Sequence, residues 1–285
     1  MDTEIIWTLN DFSKLFHRIR NGNLLTDVDV SKYKFFGPKE ILMLTEFFVV
    51  QNSKQINASL VVGEKNGWYF NAIDLIGFCN TNYENPVHQK QSSSTAIPIK
   101  RIDITTMNAY IDDALNFFST YCIGKDTTIL SIGISEIINN VNDHAKSAYD
   151  AYIFSQYYPK IRQIKFAMSD LGVGIPETVN TYFSSKNESR LKNGDALRWA
   201  VQYGKTSQSQ FYNKGYGLAN VISNLKGVGT LEIYSNDVAC RLRNNYLSYF
   251  QNPIPNFIGT LIEINIDIDN LEQYNTTRFL DHWLS

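Results

Sequence analysis

Three short motifs follow one another along this chain, and their order constrains the fold more than any one of them does. The first is an acidic and amide-rich run, Ser135-Glu136-Ile137-Ile138-Asn139-Asn140-Val141-Asn142-Asp143-His144. Asp170-Leu171-Gly172-Val173-Gly174 comes next, and Gly215-Tyr216-Gly217-Leu218 after it. In and just before the first run, Ile132, Ile134, Ile137, Ile138 and Val141 recur at helical spacing and are expected to face the core. The second closes a strand-like apolar segment, Ile164 to Met168, and the third opens a helical pattern that continues to Leu225. A helix, a strand end and a helix start must therefore be held by one scaffold.

Each motif has a chemical reading and a plainer one. Glu136, Asn140 and His144 are spaced by four and share a helix face. An amide oxygen such as that of Asn140 can ligate Mg²⁺, which prefers oxygen donors. A carboxylate without a basic neighbour in sequence, as Glu136 is, can take a proton from water or a hydroxyl. The plainer reading is the solvated face of a helix. Asp170 stands at a strand end, where a carboxylate can accept a hydrogen bond from an exocyclic amine. Gly172 and Gly174 would let the backbone approach a flat base, or the segment is a simple β-turn. Gly215 and Gly217 precede a helix, so free backbone N–H groups can face phosphate oxygens; an ordinary helix start is the alternative. Lys205, Thr206, Ser207 and Lys214 lie just upstream in a polar stretch suited to a lid, in which one lysine can meet a terminal phosphate.

The rest of the chain reads as two α/β units, 1–90 and 97–285, divided by the polar segment 80–96. In the first, strand-like alternation over Leu24–Phe36 is broken at Gly37-Pro38, and a helix begins at Pro38. A strand over Asn57–Val62, a turn over Gly63–Gly67 and a short helix over Asn71–Phe78 follow. In the second, helices are expected near Thr105–Tyr121, Thr127–Ala148, Gly194–Val201 and Leu218–Leu225. Strands are expected near Tyr149–Tyr158, Ile161–Ser169, Thr230–Tyr234, Val238–Leu242 and Ile258–Ile268, with Pro176 ending the turn after Gly174. The fold class is α+β.

Composition narrows the function classes. Hydrophobic residues make up 44% and charged residues 19%, too apolar for disorder. A net charge of −2 gives no general attraction to nucleic acid or an anionic membrane. Three separated cysteines offer neither a zinc spacing nor a disulfide framework. No apolar run reaches roughly 18 residues, and a cytoplasmic location is expected.

Taken in order over about residues 105–270, the motifs resemble those of the GHKL ATPase superfamily, whose Bergerat fold is an α/β sandwich. Glu136-x-x-x-Asn140 is similar to its first box, which implies Asn140 as Mg²⁺ ligand and Glu136 as general base. Asp170-x-Gly172-x-Gly174 resembles the box whose carboxylate binds adenine. Asn213-Lys214-Gly215-Tyr216-Gly217-Leu218 resembles the phosphate-side box at the end of a lid, about 177–214. Thr260, after Gly259, resembles the threonine that supports the adenine pocket. The resemblance implies ATP and Mg²⁺ as cofactors. The spacing through His144 is closest to serine kinases that act as anti-sigma factors, although Val141 stands where those often have Ala and the lid is long. No dimerisation helix of the sensor-kinase type precedes the domain. Residues 24–80 look similar to a STAS-like domain, with no hydroxyl residue in Phe35-Phe36-Gly37-Pro38-Lys39 to accept a phosphate.

Three outcomes follow from the resemblance. Hydrolysis can drive a lid-controlled switch read out by the N-terminal unit. Phosphate can instead pass to a partner's serine or threonine, or ATP can be sensed without turnover. A protein partner or a homodimer is expected.

Overall fold

The computed structural model describes residues 2–78, 93–103, 105–144, 147–202 and 217–274. The N-terminal part contains β1 (Asp2–Ile5), α1 (Phe12–Asn21), β2 (Thr26–Asp29), α2 (Pro38–Ser53), β3 (Leu60–Val61), α3 (Glu64–Ala72) and α4 (Leu75–Phe78). Then come β4 (Ala96–Ile102), α5 (Met107–Ser119), α6 (Thr128–His144), β5 (Ala151–Tyr158), β6 (Gln163–Asp170), α7 (Ile175–Ser185) and α8 (Asn193–Ala200). The remainder is α9 (Gly217–Leu225), β7 (Gly229–Ser235), β8 (Val238–Arg243), β9 (Tyr246–Gln251) and β10 (Thr260–Asp267). Strands β1, β2 and β3 form a small parallel sheet. The other seven form one antiparallel sheet in the order β4-β5-β6-β10-β7-β8-β9. The protein is α+β.

Strand alternation sends side chains of the large sheet to opposite faces. Ile164, Phe166 and Met168 of β6 join a core with Ile134, Ile137 and Ile138 of α6 and Val221, Ile222 and Leu225 of α9. Ala167 of β6 and Leu261 of β10 face the other way, into a core built with Phe47 and Phe48 of α2. The sheet is thus covered on both sides.

Helix α2 explains how the N-terminal part attaches. A helix that is apolar all round has no solvent face to offer and must be enclosed. Ile41, Leu42, Met43, Leu44, Phe47, Phe48 and Val50 are all buried. The helix packs on β5, β6 and β10 on one side. On the other it shares a core with Val28, Val30 and Leu60 of the small sheet. Pro38 occupies its first turn, and Glu40 Oε2 accepts the Gly37 N–H at 2.9 Å. The compositional break at 80–96 falls between the two sheets, with 79–92 outside the described residues, but the apolar core is continuous across it.

A partly buried ionic contact fixes the same junction. Lys39 Nζ lies 2.7 Å from Glu232 Oε2 of β7 and 3.4 Å from Glu263 Oε2 of β10. Burial opposes the ammonium charge, yet Glu263, Tyr234 and Glu232 hold it above the ordinary lysine range.

Several expectations are corrected. The expected turn at Gly63–Gly67 is the start of α3, whose first residue is Glu64. Pro176 does not end a turn; it sits in the first turn of α7, where its missing N–H costs no hydrogen bond. Ile132 is only half-buried. Strands β1, β4 and β9 and helices α1 and α7 were not anticipated.

Replacing Lys39 with Met should leave Glu263 without a cation beside an apolar layer, while Glu232 keeps Arg241 at 2.7 Å. Urea denaturation should register a loss of about 3 kcal/mol for Lys39→Met.

Candidate functional site

The central strand β10 places the site. It pairs with β6 on one side and β7 on the other, with Thr260 opposite Asp170 and also opposite Ser235. These three side chains share one face at one end of the sheet. Asp170 is 2% exposed, Ser235 fully buried and Thr260 7% exposed. The hydroxyls of Ser235 and Thr260 lie 3.1 Å apart, and Ser235 Oγ accepts the Ile175 N–H at 2.8 Å. The start of α7 is thereby tied to the end of β7.

The loop 171–174 between β6 and α7 is held just as closely. Gly172 N–H donates to Asp170 Oδ1 at 2.6 Å. Asn236 Nδ2 donates to the Val173 carbonyl at 2.8 Å, and its Oδ1 accepts the Gly259 N–H at 3.2 Å. Gly174 has φ +82°, and a Cβ there would lie 2.3 Å from Asn236 Nδ2. Gly259 also has φ +82°, and its Cβ would meet the Asp170 carbonyl oxygen at 1.9 Å. Neither position admits a side chain. The turn at 235–236, which sequence reading missed, is therefore part of the site; Ser and Asn at a strand end carry no signal that separates them from ordinary turn residues.

Two helices converge on the same end. Gly133 lies against the ring of Phe166, so α6 crosses β6. The chain leaves α6 at His144 and re-enters the sheet at Ala151, and the next residue, Tyr152, pairs with Ser169. The C-terminal half of α6, with Glu136 and Asn140, thus runs toward Asp170. Helix α9 packs back along β7, which it precedes, so its first residue, Gly217, points toward the Ser235 end. Leu218 is buried in the core beneath.

The electrostatics distinguish the carboxylates. Burial pushes the Asp170 carboxyl up to about 7, against the Gly172 N–H bond that favours its charge. Glu136 is half-buried; burial raises its carboxyl, and a hydrogen bond from Asn220 of α9 opposes that. Asn220 therefore ties the candidate base to the helix that begins at Gly217.

Of the site residues expected from sequence, Asp170, Gly172, Gly174 and Thr260 are gathered at one sheet end. Glu136, Gly217 and Leu218 belong to the two helices that approach it. Asn140 is in α6, but its side chain lies outside the described residues, as do Lys205, Lys214 and Gly215. In the described part of the segment expected as a lid, 177–202 of 177–214, α7 fills the beginning and α8 spans Asn193–Ala200.

No family model matches this sequence, and no curated protein matches it. Among solved structures, the chain is similar to the B subunit of DNA gyrase from Myxococcus xanthus, at 9% identity and a TM-score of 0.29, over 61% of this chain and 48% of that one. It is also similar to a topoisomerase IV ATP-binding domain of Francisella tularensis in complex with a small-molecule inhibitor. There the identity is 15% and the TM-score 0.25, over 67% of this chain and 48% of that one. The match spans about half the length of each.

The Asp170 carboxyl makes stability depend on pH in a defined sense. Its proton is held more tightly in the folded state, so its stabilisation is present below the unfolded value of 3.8 and lost as pH rises through about 7. Asp170→Asn should therefore match the wild type near pH 4 and exceed it at pH 8, by up to about 4 kcal/mol. Thermal unfolding of the two proteins across that range checks this.

Proposed function

We propose that this protein binds Mg-ATP at the sheet end marked by Asp170 and Thr260, as a GHKL-type nucleotide-binding protein, and that hydrolysis drives a conformational switch. The observation that carries the reading is Asp170 itself. It is a buried carboxyl whose one hydrogen-bond donor among the described residues is the Gly172 N–H. Keeping such a group costs stability, and such costs concentrate at sites of binding or chemistry. Adenine offers an exocyclic amine that an ionised Asp170 can accept, with the Thr260 hydroxyl beside it. The glycine-lined loop 172–174 lets the base approach backbone.

The remaining roles belong to the two converging helices. The free N–H groups at the start of α9 suit phosphate oxygens. Asn140 would offer its amide oxygen to Mg²⁺, and Mg²⁺ would neutralise charge on the phosphates. Glu136, made more basic by burial, would take the proton from an attacking water. The hydrogen bond from Asn220 would pass any change at Glu136 to α9. The N-terminal layer would read the switch through α2, which touches β6 and β10 directly. Lys205, Lys214 and Gly215 would complete the phosphate side.

Transfer to a partner's serine or threonine uses the same groups, with the hydroxyl replacing water. The anti-sigma-kinase spacing Glu136-x-x-x-Asn140-x-x-x-His144 favours that second reading.

Calorimetric titration should find Asp170→Asn weaker for ADP by about ten- to hundredfold, the loss of one charge-assisted hydrogen bond. Wild-type affinity should fall as pH drops below about 7, because protonated Asp170 is a poorer acceptor, and the variant should lack that limb. Unchanged affinity in Asp170→Asn would remove the adenine assignment. Phosphate release from Mg-ATP should disappear in Glu136→Ala, and Asn140→Ala should lose Mg²⁺-dependent binding. Release that persists in Glu136→Ala would exclude Glu136 as the base.

A further inference from the structure

Directly behind Asp170, on the opposite face of the sheet, lies a second buried carboxyl. Glu46 of α2 is 1% exposed, and its Oε1 accepts the hydroxyl of Ser169 at 2.5 Å. Ser169 is the residue before Asp170, so the Glu46 carboxyl, reaching in from α2, and the Asp170 carboxyl lie on opposite faces of the same strand end. The other oxygen, Glu46 Oε2, is buried with no hydrogen-bond partner among the described residues.

The groups around Glu46 decide its charge. From β6 the ionisable neighbour is Asp170, and from β5 it is Tyr152, whose phenol is raised partly by Glu46. Farther along the same face, Lys165 of β6 lies over the ring of Tyr158 of β5. Lys39, seven residues earlier on α2, is already engaged by Glu232 and Glu263. Arg18 of α1 is bound to Glu4. Asp74, before α4, has a partner of its own. No cation is paired with Glu46 among the described residues. Two carboxyls so placed cannot cheaply be charged together, so the pair carries one proton while one member is ionised.

We propose that Glu46 is a positioning residue for the nucleotide site: it holds the proton of the pair, leaves Asp170 as the one charged acceptor for the base, and so ties nucleotide occupancy to the seating of α2. The proposal rests on the reading of Asp170 as the adenine acceptor. Burial is the largest influence on Glu46 and raises its carboxyl well above the usual range; the Ser169 bond opposes this, and the Asp170 charge adds to it. With one oxygen buried and unpartnered and no cation beside it among the described residues, Glu46 is the member that keeps the proton when Asp170 ionises. Loss of that proton puts a second charge beneath the site and beside the apolar layer of α2.

The folded state holds this proton more tightly than the unfolded chain, so the stabilisation is lost as pH rises through the folded value. The test compares the wild-type full chain with Glu46→Gln, which has the shape of the neutral acid, and with Ser169→Ala. One measurement is thermal unfolding without ligand; the other is ADP affinity, each followed from pH 6 into the alkaline range.

The expected result is that Glu46→Gln gains stability over wild type progressively as pH rises. It should also abolish the alkaline decline in ADP affinity while keeping the acid limb set by Asp170. Ser169→Ala removes the bond that favours the charged form and should move both alkaline declines to higher pH. A Glu46→Gln stability difference that does not change with pH would overturn the proposal, as would an alkaline limb of ADP affinity identical in both proteins. Absence of ADP binding by wild type at every pH would instead refute the reading of the site. ADP binding that keeps its acid limb while Glu46→Gln leaves the alkaline limb intact would refute the role of Glu46 alone.

Discussion

The pairing of β10 between β6 and β7 is the constraint on which the rest depends. One strand, fixed by two antiparallel registers, sets Thr260 beside both Asp170 and Ser235. A slip of one residue in either register would turn one of those side chains to the α2 face. Gly259 reinforces the register, because its bare Cα is the only form that fits against the Asp170 carbonyl. The loop 171–174, the turn at 235–236 and the start of α7 are then bound to that sheet end by side-chain hydrogen bonds. A rigid sheet end thus positions a loop that would otherwise be free to vary.

That sheet end holds what is costly in the fold. A carboxyl near 7 at Asp170 and a second, fully buried one at Glu46 both oppose folding at neutral pH and above. The surrounding layers offset the cost. Apolar cores cover both faces of the sheet, and α2 is enclosed between two sheets. Asp170 and Glu46 sit where those layers meet the site, so α2 is the element placed to sense a change at the proposed nucleotide face.

Much of this was legible in the sequence because the relevant signals are local. Helix α6, strand β6 and helix α9 follow from apolar spacing and from glycine or carboxylate at their ends. The Pro38 start of α2 follows from proline chemistry. The α+β class follows from the element order. What was not legible depends on distant pairing. Ser235 and Asn236 acquire meaning only when β7 is laid beside β10. Glu46 reads as one polar residue in an apolar helix until Ser169 is found 2.5 Å away. Strand β9 has an exposed and alternating pattern typical of an edge, which gives little hydrophobic signal. Pro176 misled because the same residue ends turns and opens helices, and only the bond from Ile175 to Ser235 decides which.

The central claim is that an adenine base lies against Asp170. A crystal structure with a non-hydrolysable ATP analogue and Mg²⁺ tests it most directly. The account predicts the exocyclic amine about 3 Å from an Asp170 carboxylate oxygen, with Thr260 beside the base and the phosphates at the start of α9. An analogue bound elsewhere on the chain, with Asp170 still buried and untouched, would contradict it.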